Sequence, residues 1–323
     1  MKATLALRQA VRPWIAQAEA RVAIGVSGGA DSLALAAAVA LEAQPQKIEV
    51  IAVVVDHGLQ ESSDQVALTA KSQLEQLGIS YVIIKRVQVE RVDGIEASAR
   101  RARYAAFEEV IKEHQPDYFF LAHTINDQAE SVLLGLARGS GSKSLAGMQE
   151  VNGIYVRPLL GIERATTEAA CAEQKIDAWQ DPHNEDSSYT RVRVRKEILP
   201  LMEKLLGPGI IAALGRTAAL VRQDVQALDG YAQAFLAQSN PSLLSVEELA
   251  DLPVAVRARV LREAIFRAGA PEGSLSAAHL APVEALITDW HGQGVISLPG
   301  GVKVERISGR LSFLNQPGGR APQ

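Results

Sequence analysis

The sequence predicts an α/β protein with a doubly wound parallel sheet, followed by a smaller, mostly helical C-terminal domain that ends in a short β-meander. Three observations lead to this prediction. Apolar, β-branched runs alternate with helix-period segments in the first half of the chain. Glycine-containing or charged motifs follow directly after several of those runs. The end of the chain has short apolar segments separated by the turn-forming pairs GG and SG.

Four apolar runs have the length and composition of buried parallel strands, and the segments between them have helical spacing. The runs are RVAIGV (21–26), IEVIAVVV (48–55), YVIIK (81–85) and DYFFLA (117–122), and the helical segments cover 31–43, 62–77 and 95–114. Strands that alternate with helices form right-handed βαβ units. Ligands of such sheets bind beyond the carboxyl ends of the strands, so we expect functional residues just after the strands.

Glycine- and proline-rich breaks divide the rest of the chain. We expect a catalytic domain over 1–206, a linker with a long helix over 207–238 and a C-terminal domain over 239–323. The pattern predicts a loop (138–148), a short helix (166–175), a basic helix (191–206), a long helix (210–238), further helices (246–250, 253–268, 277–290) and the terminal strands GVISL, VKVERI and RLSFL. Residues 316–323 have the composition of a disordered tail.

The composition is that of a globular protein, with 47% apolar and 22% charged residues in a chain of 323. No apolar run reaches the roughly 18 to 20 residues of a membrane helix, and the N-terminus does not have a signal-peptide pattern, so a cytoplasmic enzyme without a membrane partner is expected. The single cysteine, Cys171, excludes an intramolecular disulfide and a cysteine-based zinc or iron–sulfur site. The net charge of −4 means that any RNA has to be bound by local basic patches.

The segment SGGADS, from Ser27 to Ser32, is the most informative motif. Ser27, Gly28 and Gly29 can turn successive backbone N–H groups toward an anion, and the following helix directs its positive end to the same point. Asp31 would be repelled by a phosphate unless a cation lay between them, which implies Mg²⁺. The alternative is a simple turn in which Asp31 caps the helix. The motif is neither a Walker loop nor a dinucleotide-binding fingerprint.

SGGxDS is the signature of the PP-loop ATP pyrophosphatases, and this sequence resembles that Rossmann-like superfamily. Further motifs over about 21–206 resemble the tRNA(Ile)-lysidine synthetase family within it. They are VVVDHGL (53–59), EASARRARY (96–104), HTINDQAES (123–131), RGSG (138–141), RPLL (157–160), DPHN (181–184) and ILPLM (198–202). The resemblance implies cleavage of ATP between its α- and β-phosphates, with Mg²⁺ at Asp31. The implied ATP contacts in the loop are Ser27, Gly28, Gly29, Ala30, Asp31 and Ser32.

Two strand-end motifs add candidate nucleotide contacts. Asp56 and His57 follow the second predicted strand, at the place where the family frames adenine and ribose. His123 follows the fourth predicted strand. The alternative for Asp56 and His57 is a plain turn at the end of a strand.

Asp127 and Glu130 are spaced i, i+3, which places both carboxylates on one face of a helix. Free lysine carries an ammonium of pKa about 10.4, so a lysine pocket has to attract a cation and then accept a proton. The resemblance implies that Asp127 and Glu130 are catalytic residues that handle lysine or metal. The alternative is a solvated helix face with Asn126 as its cap, and Asn126 stands where the family commonly has Asp.

Two arginine-rich segments are candidates for RNA contact. Arg100 and Arg103 share a helix face at i, i+3, and Arg103 is also a candidate catalytic residue. Arg191 and Arg195 share one face of the basic helix, and Arg193 lies on another. We expect Arg100, Arg191, Arg193 and Arg195 to bind tRNA through its phosphates. The alternatives are a surface salt-bridge ladder for the first segment and a solvated face for the second.

The residues and the resemblance together predict a ligase that uses ATP and Mg²⁺ to join L-lysine to carbon 2 of the wobble cytidine of tRNA(Ile) with a CAU anticodon, through an adenylated cytidine. The C-terminal domain is then expected to bind tRNA, and assembly as a homodimer stays open. One alternative is a tRNA thiolation enzyme on the same fold, which needs a persulfide or cluster that the lone Cys171 does not supply. A second is GMP or NAD synthesis, and the first of these normally needs an ammonia-source domain whose catalytic residues are not visible in the sequence. A third is a non-catalytic tRNA-binding protein with an ATP fold, against which the presence of Asp31, Asp127 and Glu130 argues.

Overall fold

The computed structural model describes residues 1–58, 63–88, 95–139, 141–181 and 185–315. The chain forms two compact units, Met1–Val221 and Arg222–Gln323, each with its own hydrophobic core. Some predicted features lie partly or wholly outside the described residues. They are Leu59 of VVVDHGL, Ser62 at the start of the predicted helix 62–77, Ser140 of RGSG, residues 182–184 of DPHN and the whole tail 316–323.

The first unit is built on a mostly parallel sheet, whose strands within the described ranges have the order β3-β2-β1-β4-β6-β5. The strands are β1 (Arg21–Val26), β2 (Glu49–Asp56), β3 (Tyr81–Arg86), β4 (Tyr118–Phe120), β5 (Val151–Asn152) and β6 (Tyr155–Val156). β5 runs antiparallel to β6, and the other pairs are parallel. The four predicted strands are confirmed. β5 and β6 were not predicted, because two residues are too few to show the period of a strand.

Helices cover both faces of this sheet. They are α1 (Lys2–Ile15), α2 (Ala30–Gln46), α3 (Ser63–Gln76), α4 (Ile95–His114), α5 (Ile125–Ala137), α6 (Ser142–Leu145) and α7 (Arg164–Glu173). Side chains of β1 alternate between the faces. Val22 and Ile24 pack in the core with α1, α2 and α3, whereas Ala23 packs with Phe107 and Val110 of α4. The predicted doubly wound architecture is therefore confirmed.

The strand order reverses at β1, which lies between β2 and β4. β2 and β3 extend the sheet on one side of β1, and β4 and β6 extend it on the other. The loops that follow neighbouring strands diverge at such a point and leave a crevice at the carboxyl edge of the sheet. The segments after β1, β2 and β4 therefore meet at that edge.

The basic segment is helical, as predicted, but it contains a π-helical turn. α8 (Thr190–Arg193) continues through the π turn (Val194–Ile198) into α9 (Leu199–Leu206). Pro200 has no N–H to bond the carbonyl one turn earlier, which weakens the regular α-helical pattern at this point. Val192 and Val194 are buried, and the arginines beside them take two directions, Arg191 and Arg195 toward Glu130 and Arg193 toward Ser187.

The second unit combines helices with a small antiparallel sheet. Its helices are the second part of α10 (Ile210–Ala237), which contains the unit boundary, and α11 (Val246–Asp251), α12 (Val254–Arg267) and α13 (Ala277–Thr288). Its described strands, β7 (Leu243–Ser245), β8 (Ile296–Ser297), β9 (Val302–Ile307) and β10 (Arg310–Asn315), have the order β7-β10-β9-β8. The predicted meander is confirmed, and β7 adds an unpredicted edge strand.

The turn between β9 and β10 explains why the SG pair was informative. Ser308 and Gly309 both have positive φ angles, 48° and 74°. Two-residue hairpin turns of this type match the twist of the strands and favour glycine.

Across the part of the chain that the structure describes, no single helix is long and apolar enough to span a membrane. One pair, α8–α9 with α10, reaches the required length and apolar composition only when the two are joined across a bend of 100°.

Candidate active site

A cavity of about 1000 Å³ opens at the carboxyl edge of the sheet in the first unit. A volume of this size accommodates a nucleotide together with a second reactant. The predicted site residues that line it are Ser27, Gly29, Ala30, Asp31, Ser32, Asp56, His57, Arg100, Arg103, His123, Asp127 and Arg195. Four other predicted site residues, Gly28, Glu130, Arg191 and Arg193, do not line it.

The loop after β1 has the form expected of an anion site. Gly28 has φ +84°, a conformation that glycine adopts without strain, and its carbonyl accepts a hydrogen bond from Trp179 N–H at 3.0 Å. The Ser32 hydroxyl accepts from Ser27 N–H at 3.2 Å and donates to Gly29 O at 2.9 Å. Gly29 is the N-cap of α2 and has no side chain to satisfy the first N–H groups. These N–H groups and the positive end of α2 are therefore available to a phosphate.

Asp31 lies in the first turn of α2, but it does not cap the helix. Its carboxylate accepts hydrogen bonds from Arg164 Nε at 3.1 Å and from the hydroxyl of Thr167. Both partners belong to the first turn of α7. Burial raises the pKa of Asp31 above its ordinary value, although Arg164 and Thr167 partly offset this effect. The alternative of a simple helix cap is therefore wrong.

Asp127 faces the cavity from the first turn of α5. One carboxylate oxygen accepts from the backbone N–H and the hydroxyl of Thr124, both at 2.8 Å, which forms a capping box. The other oxygen accepts from Arg164 Nη2 at 3.0 Å. Burial alone would raise the pKa of Asp127, but the Arg164 guanidinium and the hydrogen bonds of Thr124 hold it below its ordinary value. Asp127 is thus a charged carboxylate with a fixed orientation.

Glu130 lies one helical turn further along α5 and is fully buried, with 0% of its side chain exposed. It accepts hydrogen bonds from Arg195 Nε at 2.7 Å and from Arg191 Nε at 2.9 Å. Arg195 Nη2 and Arg164 Nη1 approach it at 3.1 Å and 3.4 Å. Asp127 and Glu130 therefore do not form a solvated helix face.

The arginines of the basic helix take two directions. Arg191 and Arg195, which were expected to share a face, both turn that face toward Glu130. Arg193 is exposed and donates to Ser187 O and to the hydroxyl of Thr190 at 3.3 Å and 3.2 Å. Arg193 is thus on a solvent-facing side of the helix, and the other two take part in a partly buried charge network around Glu130.

We use the term charge cluster for the side chains of Asp31, Asp127, Glu130, Arg164, Arg191 and Arg195. Their three carboxylates and three guanidiniums have formal charges that cancel. The members come from α2, α5, α7, α8 and the π turn. Burying unpaired charges is costly, so each carboxylate here is matched by at least one guanidinium. The charge cluster connects the phosphate loop with the carboxylates of α5.

The histidines at the strand ends are neutral at physiological pH. Burial lowers the pKa of His57 to about 4, assisted by the nearby Arg103, whose Nη2 lies 3.3 Å from His57 Nε2. Burial likewise lowers the pKa of His123 to about 4. The Nδ1 atoms of both rings are buried and have no hydrogen-bond partner among the residues that the structure describes. Asp56 is buried and its carboxylate accepts from Gly58 N–H at 2.9 Å.

Arg164 and Thr167 are site residues that the sequence reasoning missed. The predicted helix began at 166, whereas α7 begins at Arg164. The sequence did contain a pattern that could have identified them, because Arg164, Thr167 and Cys171 are spaced i, i+3, i+7 and so share one helix face. That face lies on α2, where Thr167 contacts Asp31 and Cys171 Sγ lies 3.4 Å from Ala30 O. Trp179, whose N–H donates to Gly28 O in the loop after β1, had no comparable spacing pattern in the sequence.

The described residues include no group of three or more His, Cys, Asp or Glu side chains arranged to hold a metal ion. Asp31 and Asp127 are bridged by Arg164, which donates to both carboxylates. A divalent cation at this edge would therefore need ligands from a substrate as well as from the protein.

Two family models match the chain. Residues 2–202 match the PP-loop domain, and residues 244–312 match the TilS substrate binding domain. The chain is 50% identical to the tRNA(Ile)-lysidine synthase of Leifsonia xyli subsp. xyli, in an alignment that covers 91% of this chain and 90% of that protein. It is 48% identical to the protein of the same name from Streptomyces coelicolor, with 90% and 84% covered.

A solved structure with a similar fold is the U34-tRNA thiolase NcsA from Methanococcus maripaludis with its 4Fe–4S cluster. The TM-score is 0.57 at 18% identity, and the match covers 69% of this chain and 79% of the thiolase. At this level of identity the likeness shows the fold alone.

Proposed function

Because this chain belongs to the tRNA(Ile)-lysidine synthase family, whose members are ATP-using PP-loop enzymes, we propose that it joins lysine to the wobble cytidine of tRNA(Ile) with a CAU anticodon. The reaction is a ligation that forms a carbon–nitrogen bond and converts ATP to AMP and pyrophosphate. The observation that carries the proposal is one cavity that contains both a phosphate-type loop and an oriented, charged carboxylate, Asp127.

The first step activates the cytidine. Oxygen 2 of cytosine attacks the α-phosphorus of ATP, and pyrophosphate leaves. The open N–H groups at the start of α2 and the hydroxyl of Ser27 hold the phosphates, and the buried environment strengthens these interactions. Near the same loop, Asp56, His57 and His123 provide contacts for adenosine. The rings of His57 and His123 suit this role, because both line the cavity and are neutral.

Mg²⁺ fits the donor set at this edge of the sheet. The ion usually binds one or two protein carboxylates and completes its shell with water and substrate phosphates. Asp31 is adjacent to the phosphate loop, and Asp127 lines the same cavity. When bound, Mg²⁺ would neutralise charge on the departing pyrophosphate. We therefore propose Asp31 as its main protein ligand.

The second step transfers lysine. The ε-ammonium of lysine first gives a proton to Asp127, and the resulting amine attacks carbon 2 of the adenylated cytidine. AMP leaves with the electrons of the broken carbon–oxygen bond, and the new carbon–nitrogen group releases its further proton to solvent. Asp127 has access to the cavity and is ionised, so it can attract the ammonium and orient it. Glu130 is sequestered by arginines and contributes indirectly, by holding Arg191 and Arg195 in place. This division of roles differs from the expectation that both carboxylates handle lysine or metal directly.

The tRNA would be bound by exposed basic side chains and by the second unit. Arg100 is exposed, with its guanidinium 4.9 Å from the ring centroid of Tyr104, and it lines the cavity. Arg193 is exposed on the basic helix. Both can contact phosphates without disrupting a buried pair. The match of residues 244–312 to a substrate-binding domain supports a tRNA-binding role for the second unit.

The chemistry of the single cysteine argues against a thiolation reaction. Clusters of the 4Fe–4S type are held by several cysteine thiolates, and this chain contains Cys171 alone. Cys171 is buried against Ala30, and burial raises the pKa of its thiol to about 11. A protonated, buried thiol is a poor nucleophile.

The decisive experiment measures ATP–pyrophosphate exchange with and without tRNA, and lysidine formation in digested tRNA by mass spectrometry. We expect exchange to require tRNA(Ile) with a wobble cytidine, and lysidine to appear only when lysine is added. The matched control is the same tRNA with a wobble uridine, which should support neither reaction. Sulfur incorporation in place of lysine, or tRNA binding without pyrophosphate exchange, would contradict the proposed function.

A further inference from the structure

Arg164 donates hydrogen bonds to all three carboxylates of the charge cluster. Its Nε, Nη2 and Nη1 atoms reach Asp31, Asp127 and Glu130 at 3.1, 3.0 and 3.4 Å. Its side chain is 18% exposed and lines the cavity. A planar guanidinium has donors in fixed directions, so three carboxylates that share it are held at fixed spacing. A lysine at this position would present one compact ammonium and could not reproduce that geometry.

The backbone of Arg164 is anchored to α5 as well. Its N–H donates to Asn126 Oδ1 at 2.9 Å, which supplies the cap that Glu163, the N-cap residue, does not provide. The neighbouring Ile125 N–H donates to Ile162 O at 2.9 Å. The first turn of α7 is therefore tied to the first turn of α5. The hydrogen bond from Arg164 N–H to Asn126 Oδ1 also gives Asn126 a structural role, which needs an acceptor oxygen but no charge.

Resting on the function proposed above, we propose that Arg164 is a positioning residue, whose single guanidinium sets the distance between Asp31 at the phosphate end of the cavity and Asp127 at the amine end. The two carboxylates lie on different helices and repel one another. Without a shared cation they would separate, and the activated cytidine and the lysine nitrogen would be misaligned. Misplacement by about 1 Å can reduce a rate by about 100-fold.

An ion pair that does not line the cavity provides a control for Arg164. Glu42 is buried and accepts from Arg8 Nε at 2.6 Å and Arg12 Nε at 2.9 Å, and neither Arg8 nor Arg12 lines the cavity. The Arg8–Glu42 pair, like the Arg164 contacts, joins an arginine Nε to a carboxylate that is at least partly buried, but it is not part of the site. Arg8→Lys is therefore a matched control for Arg164→Lys.

The test measures single-turnover lysidine formation at saturating tRNA, lysine and Mg²⁺ over a range of ATP concentrations. We expect Arg164→Lys to lower the maximal rate at least about tenfold and to change the ATP concentration for half-maximal rate by less than about threefold, because alignment and not ATP binding is lost. Arg8→Lys should keep the wild-type rate. In Arg164→Ala, methylguanidinium should restore activity saturably, and methylammonium should not.

The outcomes separate this inference from the proposed function. An inactive wild-type protein contradicts the proposed function. An active wild type whose Arg164→Lys variant works at a rate within about threefold contradicts the positioning role alone. Rescue by methylammonium as strong as that by methylguanidinium also contradicts the positioning role, because charge would then suffice. Circular dichroism checks folding, and an Arg164→Lys variant that does not fold would make Arg164 a purely structural residue and overturn the inference.

Discussion

Replacement of Glu130 by glutamine tests whether the charge cluster forms as described. The substitution keeps the shape of the side chain and removes its charge. Glu130 is 0% exposed and accepts from Arg164, Arg191 and Arg195 at distances between 2.7 and 3.4 Å. In the variant, guanidiniums that share this carboxylate would lose a buried counter-charge. We therefore expect Glu130→Gln to destabilise the first unit strongly.

The magnitude follows from the energetics of buried ion pairs. Removing one partner of a buried pair costs about 3–5 kcal/mol, because the remaining charge is left uncompensated. In a unit of about 150–250 residues, each kcal/mol shifts the melting temperature by about 2–4 °C. The first unit spans Met1–Val221, so the expected decrease is about 6–20 °C. The measurement is differential scanning calorimetry at pH 7, accompanied by urea titration.

Glu49→Gln is the matched control for this prediction. Glu49 belongs to the same unit and pairs with Arg21 at 3.3 Å, but its side chain is 48% exposed. Exposed ion pairs contribute about 0–1 kcal/mol, so the melting temperature of this variant should change by no more than a few degrees. If Glu130→Gln and Glu49→Gln lower the melting temperature by the same small amount, the prediction is refuted. Glu130 could not then be a buried counter-ion that several arginines share.

Four further predictions follow from the site. Asp31→Ala should abolish pyrophosphate release at saturating Mg²⁺, as measured with wobble-cytidine tRNA, and turnover equal to wild type would remove Asp31 from the metal site. Cys171→Ser should form lysidine at a rate within about twofold of wild type, since serine can also donate to Ala30 O; an inactive but folded variant would favour sulfur chemistry. Arg193→Glu should weaken tRNA binding and reduce the slope of log affinity against log salt concentration by about one or more. The affinity for ATP without tRNA should stay constant, and an unchanged slope would mean that Arg193 is solvated and does not contact tRNA. The pKa values of His57 and His123 are about 4 in the folded state, below the unfolded value of about 6.5. The free energy of unfolding should therefore not depend on these groups above pH 7. It should fall as the pH drops from 6.5 to 4, because the unfolded chain then binds protons that the folded chain does not. Urea titrations of the double variant with asparagine at both positions should show a smaller loss over that interval, and an identical loss would contradict the burial of the neutral rings.

The sequence determined the elements of the first unit through local signals. The runs 21–26, 48–55 and 81–85 became β1, β2 and β3 within one residue at each end, and the helical segment 95–114 became α4. Buried parallel strands are continuous apolar runs, so their limits are visible in the composition. The SGGADS loop was equally visible, because its conformation depends on glycine at position 28 and on the start of α2.

Short and irregular elements were decided by tertiary contacts. β5 and β6 have two residues each and exist because β6 pairs with β4. The π turn in the basic segment begins at Val194, which packs in a small core with Ala129 of α5 and Leu199. None of these features has a periodic pattern long enough to be recognised in the sequence.

Within the candidate site, the sequence established which side chains share a helix face, and the tertiary structure decided what each face meets. The spacing of Asp127 with Glu130, and of Arg191 with Arg195, placed each pair correctly on one face. It did not reveal that these faces meet, because Arg191 lies 61 residues from Glu130 along the chain. Helical period is a local property, whereas the partner of a buried charge is selected by packing between distant segments. The charge cluster around Arg164 is therefore a property of the folded chain, although each of its residues stands in the sequence.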